Sequence, residues 1–344
     1  LSISKTTIVR AAAVGADGKV FAPITHSYII GEHTRLPIVS VVTDPKNLWD
    51  QEIGIYAEGS SNKNGIGTSQ NWRNNWRRPV HLDFLAEDGN WDVDGQMRIF
   101  GGVSRGRPQK SLAIYTTDKA NPYKIHRQLF PEVPRDDFAG ILLRNSGDAW
   151  LRTQLRDAFQ QTLVQGRVAC DTHPYRPVVA YLNGQYWGIY GLRELMMRKN
   201  LLARHHLPVQ HIVMLDGGRE VASAKGPFAN MHDIPAQGDY RSALGALNID
   251  AFLDYLAVEV YSGNPDWPDG NIKCWRPKSK AIKWQWVLFD LDRGFSGKRG
   301  KSVNENPFTI FFYRSGGHGL MFASLSKNPQ FLRDFCSRLV VHVL

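Results

Sequence analysis

Apolar positions along this chain fall into short strand-like runs and helical stripes. Thr7-Ile-Val-Arg-Ala-Ala-Ala-Val14 and Ile24-Thr-His-Ser-Tyr-Ile-Ile30 read as strands around the turn Gly15-Ala-Asp-Gly18, and Leu36-Pro-Ile-Val-Ser-Val-Val42 as a buried strand. Gln96–Phe100 leads into a glycine-rich basic loop that Lys110–Tyr115 leaves as another strand. Asp148–Gly166 predicts a helix with Leu151, Leu155, Phe159 and Leu163 on one stripe. Pro177–Tyr190 predicts a hairpin, because Asn183-Gly184 demands a type I′ turn, and its aromatics are expected in the core. Residues 249–262 put Phe252, Leu253, Leu256 and Val260 on one helical face, with Asn248 as N-cap and Gly263 as the stop. Residues 271–276 and 282–289 read as strands joined at Pro277-Lys-Ser-Lys280, and Phe331–Leu344 shows a final helical pattern.

A length of 344 residues suits one large core, or a catalytic core with a small appendage. With 42% hydrophobic and 22% charged residues the chain reads as a soluble globular protein, and no apolar run reaches the length of a membrane span. A start at Leu1 without a signal pattern, and an end inside a helical pattern, lead us to expect a processed or excised segment of a longer protein. The formal charge of +10 favours anionic partners. Arg73, Arg77, Arg78, Arg98, Arg105, Arg107 and Lys110 crowd one region together with Trp72 and Trp76. No helix-turn-helix, zinc-finger or RNP motif accompanies them, so nucleotide phosphates are the expected anion rather than nucleic acid. Cys170, Cys274 and Cys336 lack metal-ligand spacing and are expected as buried free thiols.

The densest chemistry lies in Asn264-Pro-Asp-Trp-Pro-Asp-Gly-Asn271, followed by Asp290-Leu-Asp-Arg-Gly294. An aspartate, an asparagine five positions on, a hairpin and then Asp-x-Gly is the order of parts a protein kinase uses. On that pattern Asp266 orients the attacking hydroxyl, while Asn271, Asp292 and the competing Asp290 offer oxygen ligands to Mg²⁺ or Mn²⁺. The plainer reading makes Asp266 and Asp290 turn formers and caps. Gly101, Gly102, Ser104 and Arg105 form a loop whose backbone can approach ATP phosphates closely, and Lys110 follows where a phosphate-anchoring lysine is expected. Gly65-Ile-Gly67 misses the nucleotide-loop pattern by one glycine. The helix after Asp148 contains no glutamate, so Asp157 or Arg144 is expected in a related role. Arg193-Glu194 either touches the nucleotide or opens the next helix.

Leu36-Pro-Ile-Val-Ser40, Gly101-Gly-Val-Ser-Arg105, Gln109-Lys-Ser-Leu112, Leu143-Arg-Asn-Ser-Gly147, Tyr181-Leu-Asn-Gly-Gln-Tyr-Trp-Gly-Ile-Tyr190, Asn264-x-Asp-Trp267, Asn271-Ile-Lys273 and Asp290-x-Asp292 occur in an order that resembles the spore coat protein H (CotH) kinase family. The resemblance implies an α+β, bilobal protein-kinase-like fold over residues 36–344, truncated at its C-terminus. It implies transfer of the γ-phosphoryl group of ATP to Ser or Thr of surface or coat proteins, with Asp266 and Lys110 catalytic. The nucleotide would then be held by Gly101, Gly102, Ser104, Arg105, Lys110, Arg144 and Glu194, and the metal by Asn271, Asp292 and Asp290. Residues 1–33 resemble the remnant of a chitobiase-type C-terminal β-sandwich, which points to an extracellular or surface address in bacteria. Two other functions stay open: an adhesion or coat-assembly module on the same fold, and a metal-dependent phosphodiesterase.

Overall fold

The computed structural model describes residues 2–59, 70–116, 123–208, 212–216, 219–220, 240–268, 271–277, 283–295 and 322–343. The Gly65-Ile-Gly67 segment and residues 278–280 of the expected turn lie outside them. The chain is α+β and divides into two units, Leu1–Gly147 with Tyr175–Arg204, and Asp148–Pro174 with His205–Leu344. Helices α1 (Pro45–Trp49), α2 (Arg156–Val164), α3 (Arg198–Arg204), α4 (Tyr240–Ala246), α5 (Ile249–Ser262) and α6 (Pro329–Val343) are shared between them, α1 and α3 in the first. Among the described residues no helix is long and apolar enough to cross a membrane.

In the first unit β1 (Thr7–Ala11) and β2 (Ile24–Tyr28) pair as a separate antiparallel hairpin. It rests on the rest of the unit through a Ser27–Ser40 hydroxyl bond of 2.7 Å. The remaining strands are β3 (Ile38–Val42), β4 (Arg78–Leu85), β5 (Trp91–Phe100), β6 (Ser111–Tyr115), the short pair β7 (Ile125–His126) and β8 (Asp137–Phe138), β9 (Gly140–Arg144), β10 (Tyr175–Leu182) and β11 (Gln185–Glu194). Seven of these close a barrel in the order β10-β11-β9-β6-β5-β4-β3, sealed by the parallel β3–β10 pair. Period-2 alternation sends Leu82, Met97, Ile99, Leu112, Ile114, Ile141, Leu143 and Leu192 inward to one apolar core. Ala113 and Leu142 face outward and meet Leu195 in a smaller cluster edged by Phe100, Tyr115 and Met197. The expected β10–β11 hairpin is present, with Asn183 at φ 49° and Gly184 at φ 79°, the left-handed pair a type I′ turn requires. Its aromatics divide: Tyr181 and Tyr190 are buried, whereas Tyr186 is exposed.

His81 on β4 is gripped from both sides, Nδ1 by Asp94 at 2.9 Å and Nε2 by Asp83 at 3.3 Å. The Asp83 bond, helped by Asp94 and opposed by burial, raises the His81 pKa to about 9. A raised folded-state pKa stabilises the fold below the ordinary histidine value and loses that contribution as pH climbs through the raised one. Urea midpoints are therefore expected to fall between about pH 6.5 and 9, and His81→Gln to flatten that fall. An unchanged slope in the variant would show that His81 stays neutral.

The second unit is built around α5, whose residues Ala251–Val260 are all buried. Asn248 caps it by accepting the Ala251 N–H, and Gly263 ends it in the left-handed conformation at φ 56°. β12 (Ile212–Asp216), β13 (Arg219–Glu220), β14 (Lys273–Pro277) and β15 (Gln285–Val287) form a sheet ordered β13-β12-β14-β15. Phe252 and Tyr255 of α5 pack on Trp286 of this sheet, and Phe331 and Phe335 of α6 join the same core. Cys170 and Cys274 are buried free thiols, but Cys336 is exposed, against expectation.

Helix α2 departs most from its sequence pattern. It begins at Arg156, well after Asp148, and Leu151, Leu155, Phe159 and Leu163 are all exposed. The buried face is polar instead: Asp157, Gln160 and Gln161. Asp157 accepts the Leu291 N–H, Gln160 donates to the Leu291 carbonyl, and Gln161 bonds the Leu288 carbonyl and the His173 N–H. A backbone segment crossing the interior without ladder partners needs its polar groups satisfied, and α2 turns its polar face inward to do so.

Candidate functional site

The glycine-rich loop of the first unit joins β5 to β6. Gly101 sits at φ 109°, and a Cβ there would stand 2.5 Å from the Ser104 Oγ, so only glycine fits. A short 3₁₀ turn, Val103–Gly106, follows Gly102. Arg105 braces this loop and its neighbours, donating from Nε to the Gly101 carbonyl (2.6 Å) and from Nη1 to the Arg73 carbonyl (2.7 Å).

The Lys110 ammonium, expected on phosphate, is turned inward. Only 5% of it is exposed. Its Nζ returns to the carbonyls of Arg105 (2.7 Å) and Arg107 (3.0 Å) and lies over the rings of Trp72 (4.9 Å) and Tyr56 (5.6 Å). Burial lowers its pKa. The strand explains this direction, since Lys110 is in phase with Leu112 and Ile114, which face the barrel core. Glu194 is likewise turned away from any ligand: it is fully buried, with one carboxylate oxygen on Arg135 Nη2 at 2.6 Å and the other on Arg204. Arg144 ends β9 in phase with outward-facing Leu142, one strand from Ala113.

The second unit gathers the acids. The β14–β15 register pairs Lys273 with Val287, so Asn271 and Asp290 both lie just past the paired ends of the hairpin, as its folding predicts. Asn271 (φ 56°) and Asp290 (φ 62°) hold left-handed conformations, which these two residue types tolerate best among those with side chains. Asp292 is buried. Its Oδ2 accepts the Asp148 N–H at 2.8 Å and its carbonyl accepts from Arg156. Gly294 is required two residues on, because a Cβ there would meet Gln160 at 2.5 Å and Ser262 at 3.1 Å. Asp266 is half-buried and ion-paired with Arg293, whose Nε also reaches Asp148 at 3.3 Å.

Two residues escape a reading of the sequence. Arg293 sits inside the Asp290-x-Asp292 motif yet binds the aspartate of the other loop. Glu259, buried on α5, receives the Asn264 amide at 3.0 Å, while its Oε1 has no hydrogen-bond partner among the described residues. Burial holds its pKa well above the carboxylate range, with the charges of Asp290 and Asp157 adding to the rise. An acid in the apolar second half of this helix, five residues before Asn264, was the signal available. Asn264 in turn accepts the Asp266 N–H at 3.3 Å, so Glu259 and Asn264 shape the loop that carries Asp266.

Asp290, Asp292 and Asn271 offer only oxygen, which matches a hard divalent cation in ligand chemistry. Among the described residues, no three His, Cys, Asp or Glu side chains gather in a form that could hold a metal ion. The fit is one of donor type, with Asn271 completing it.

A family model described as CotH kinase protein matches residues 97–225 and 237–342. No curated protein matches the chain.

Proposed function

The chain belongs to the CotH kinase protein family, and from that premise we propose that it is an ATP- and divalent-metal-dependent protein kinase with a bilobal kinase-like fold, acting on Ser or Thr of surface or coat proteins outside the cell. The observation that carries this reading is strand succession. A glycine-rich loop joins β5 to β6, β9 follows in the same sheet, then α2, β10 and β11, with ladder order β5-β6-β9-β11-β10. Protein kinases place their glycine-rich loop ahead of the strand that carries the phosphate-anchoring lysine, and the helix that carries its partner follows. On that count β9 is the anchoring strand and Arg144 its cation, while Lys110 keeps the loop in shape. Arginine suits the role, since its planar fork takes two phosphate oxygens at once.

In the second unit Asp266 is the group that orients the attacking hydroxyl and accepts its proton. Glu259 and Asn264 set the loop that presents it. Asp292, Asp290 and Asn271 would hold the cation, which supplies charge neutralisation to the phosphates. Arg293 keeps Asp266 from drifting until substrate arrives. That same pair also favours the second reading, an adhesion or coat-assembly module, in which Asp266 serves only as an ion-pair partner.

Calorimetry with ATP and Mg²⁺ tests the assignment. Arg144→Ala is expected to weaken ATP binding by about one to two decades, the worth of a charge-assisted hydrogen bond. Lys110→Ala is expected to lower thermal stability while leaving a smaller effect on affinity. Normal affinity in Arg144→Ala, with loss in a folded Lys110→Ala, would return the anchoring role to Lys110.

A further inference from the structure

Elsewhere in the first unit three arginines are matched to acids: Arg135 to Glu194, Arg204 to Glu194 and Arg176 to Asp88. On the outer face around β5, the loop after it and the segment before β4, four others are not. Among the described residues, no carboxylate lies within ion-pair distance of Arg73, Arg77, Arg98 or Arg105. Two of these guanidinium groups converge on one amide oxygen, Arg98 Nη1 at 2.6 Å and Arg105 Nη2 at 2.9 Å from Asn75 Oδ1. Arg98 is further fixed by Nε on the Tyr115 hydroxyl at 2.8 Å, and Arg105 by the Gly101 and Arg73 carbonyls. Arg77 stacks on the Tyr115 ring at 3.9 Å, with no side-chain hydrogen bond to any of the described residues. Burial and the Arg98 charge both push the Arg105 pKa down. Like charges held together by backbone carbonyls and one amide, without a counter-charge among the described residues, are groups suited to an oxyanion.

We propose that Arg77, Arg98 and Arg105, framed by Asn75 and Tyr115, bind a phosphate monoester carried on a Ser or Thr of the protein substrate. A carboxylate neutralises one guanidinium; a phosphate monoester brings about −1.5 to −2 charge and three acceptor oxygens. The nucleotide is a poorer occupant. Arg98 lies two strands from Arg144 across β6, about 10 Å at the usual strand spacing, so one phosphate does not reach both. Asn75 and Arg77 are exposed, which lets a polypeptide deliver the group from solvent. This inference rests on the kinase reading for its consequence: a chain with several serines stays bound after its first phosphorylation, and later transfers are favoured over the first.

The test is fluorescence anisotropy on the full chain without nucleotide. The probes are a labelled serine-rich peptide bearing one phosphoserine, its unphosphorylated twin and a single-stranded oligonucleotide. The phosphopeptide is expected to bind at least about tenfold tighter than its twin. Arg98→Gln removes that preference, Arg98→Lys restores it only in part, and inorganic phosphate at high concentration competes. Should Arg98→Gln unfold, Arg77→Gln, at an exposed position, is expected to lose a several-fold share of the preference. Equal binding of the two peptides would overturn the inference, as would tighter binding of the oligonucleotide. Displacement of the phosphopeptide by metal-free ATP far below the phosphate concentration needed would assign the patch to the nucleotide instead. Because the readout is binding, repeating it with Asp266→Asn separates this site from the kinase reading: lost transfer with retained phosphopeptide preference leaves the inference standing.

Discussion

Asp266→Asn is expected to leave ATP binding nearly unchanged and to lower phosphoryl transfer at least about a hundredfold, the usual worth of a general base. The substitution keeps size and one oxygen acceptor but removes the carboxylate proposed to take the proton of the attacking hydroxyl. It also weakens the bond to Arg293, a pair with about a third of the Asp266 side chain exposed. Partly exposed ion pairs contribute about 1 kcal/mol or less, so stability should move little. Steady-state transfer rates and an unfolding midpoint, measured on the same preparation, separate the alternatives. Transfer at the parent rate would remove the kinase role of this loop. Loss of the fold would make Asp266 a structural member held by Arg293.

Glu194→Ala carries the largest expected cost in stability. Its carboxylate is fully buried between Arg135 and Arg204, which are themselves 8% and 16% exposed, and it ties the end of β11 to α3. Truncation leaves two largely buried guanidinium groups without that counter-charge, and breaking such a cluster from one side costs about 3–5 kcal/mol. Glu194→Gln, which still accepts one hydrogen bond, should cost less. Urea unfolding followed by tryptophan fluorescence reads both. If Glu194→Ala unfolds at the parent midpoint and loses ATP affinity instead, the residue belongs with the nucleotide after all.

What could be read from the sequence was local. The Asn183-Gly184 turn and the Asn248 and Gly263 caps each need only a few residues of backbone chemistry, and each stands where expected. The hairpin bringing Asn271 toward Asp290 followed from alternation and a turn. What failed was long-range. The leucine stripe of α2 gave the usual sign of a core face, but the helix is recruited by carbonyl and amide groups of residues 288–291, more than a hundred positions away. Lys110 was expected at the start of a strand and stands one residue before β6. Its direction followed from the barrel, because closing the sheet turned that phase of β6 toward Trp72 and Tyr56. Counting strands from the glycine-rich loop needed β9 to be seen between β6 and β11, a neighbour relation no sequence pattern states. Arg293 was hidden for a simpler reason: its partner Asp266 belongs to another loop, and charge pairing leaves no periodic trace.

The central claim is transfer of the terminal phosphoryl group of ATP to a hydroxyl side chain. Parallel incubations with α-labelled and γ-labelled ATP, Mg²⁺ or Mn²⁺ and a serine-rich polypeptide test it most directly. A kinase puts label on the polypeptide from the γ position only, abolished by chelation and by Asp266→Asn. Label arriving from the α position, or none from either with the folded full chain, would contradict it.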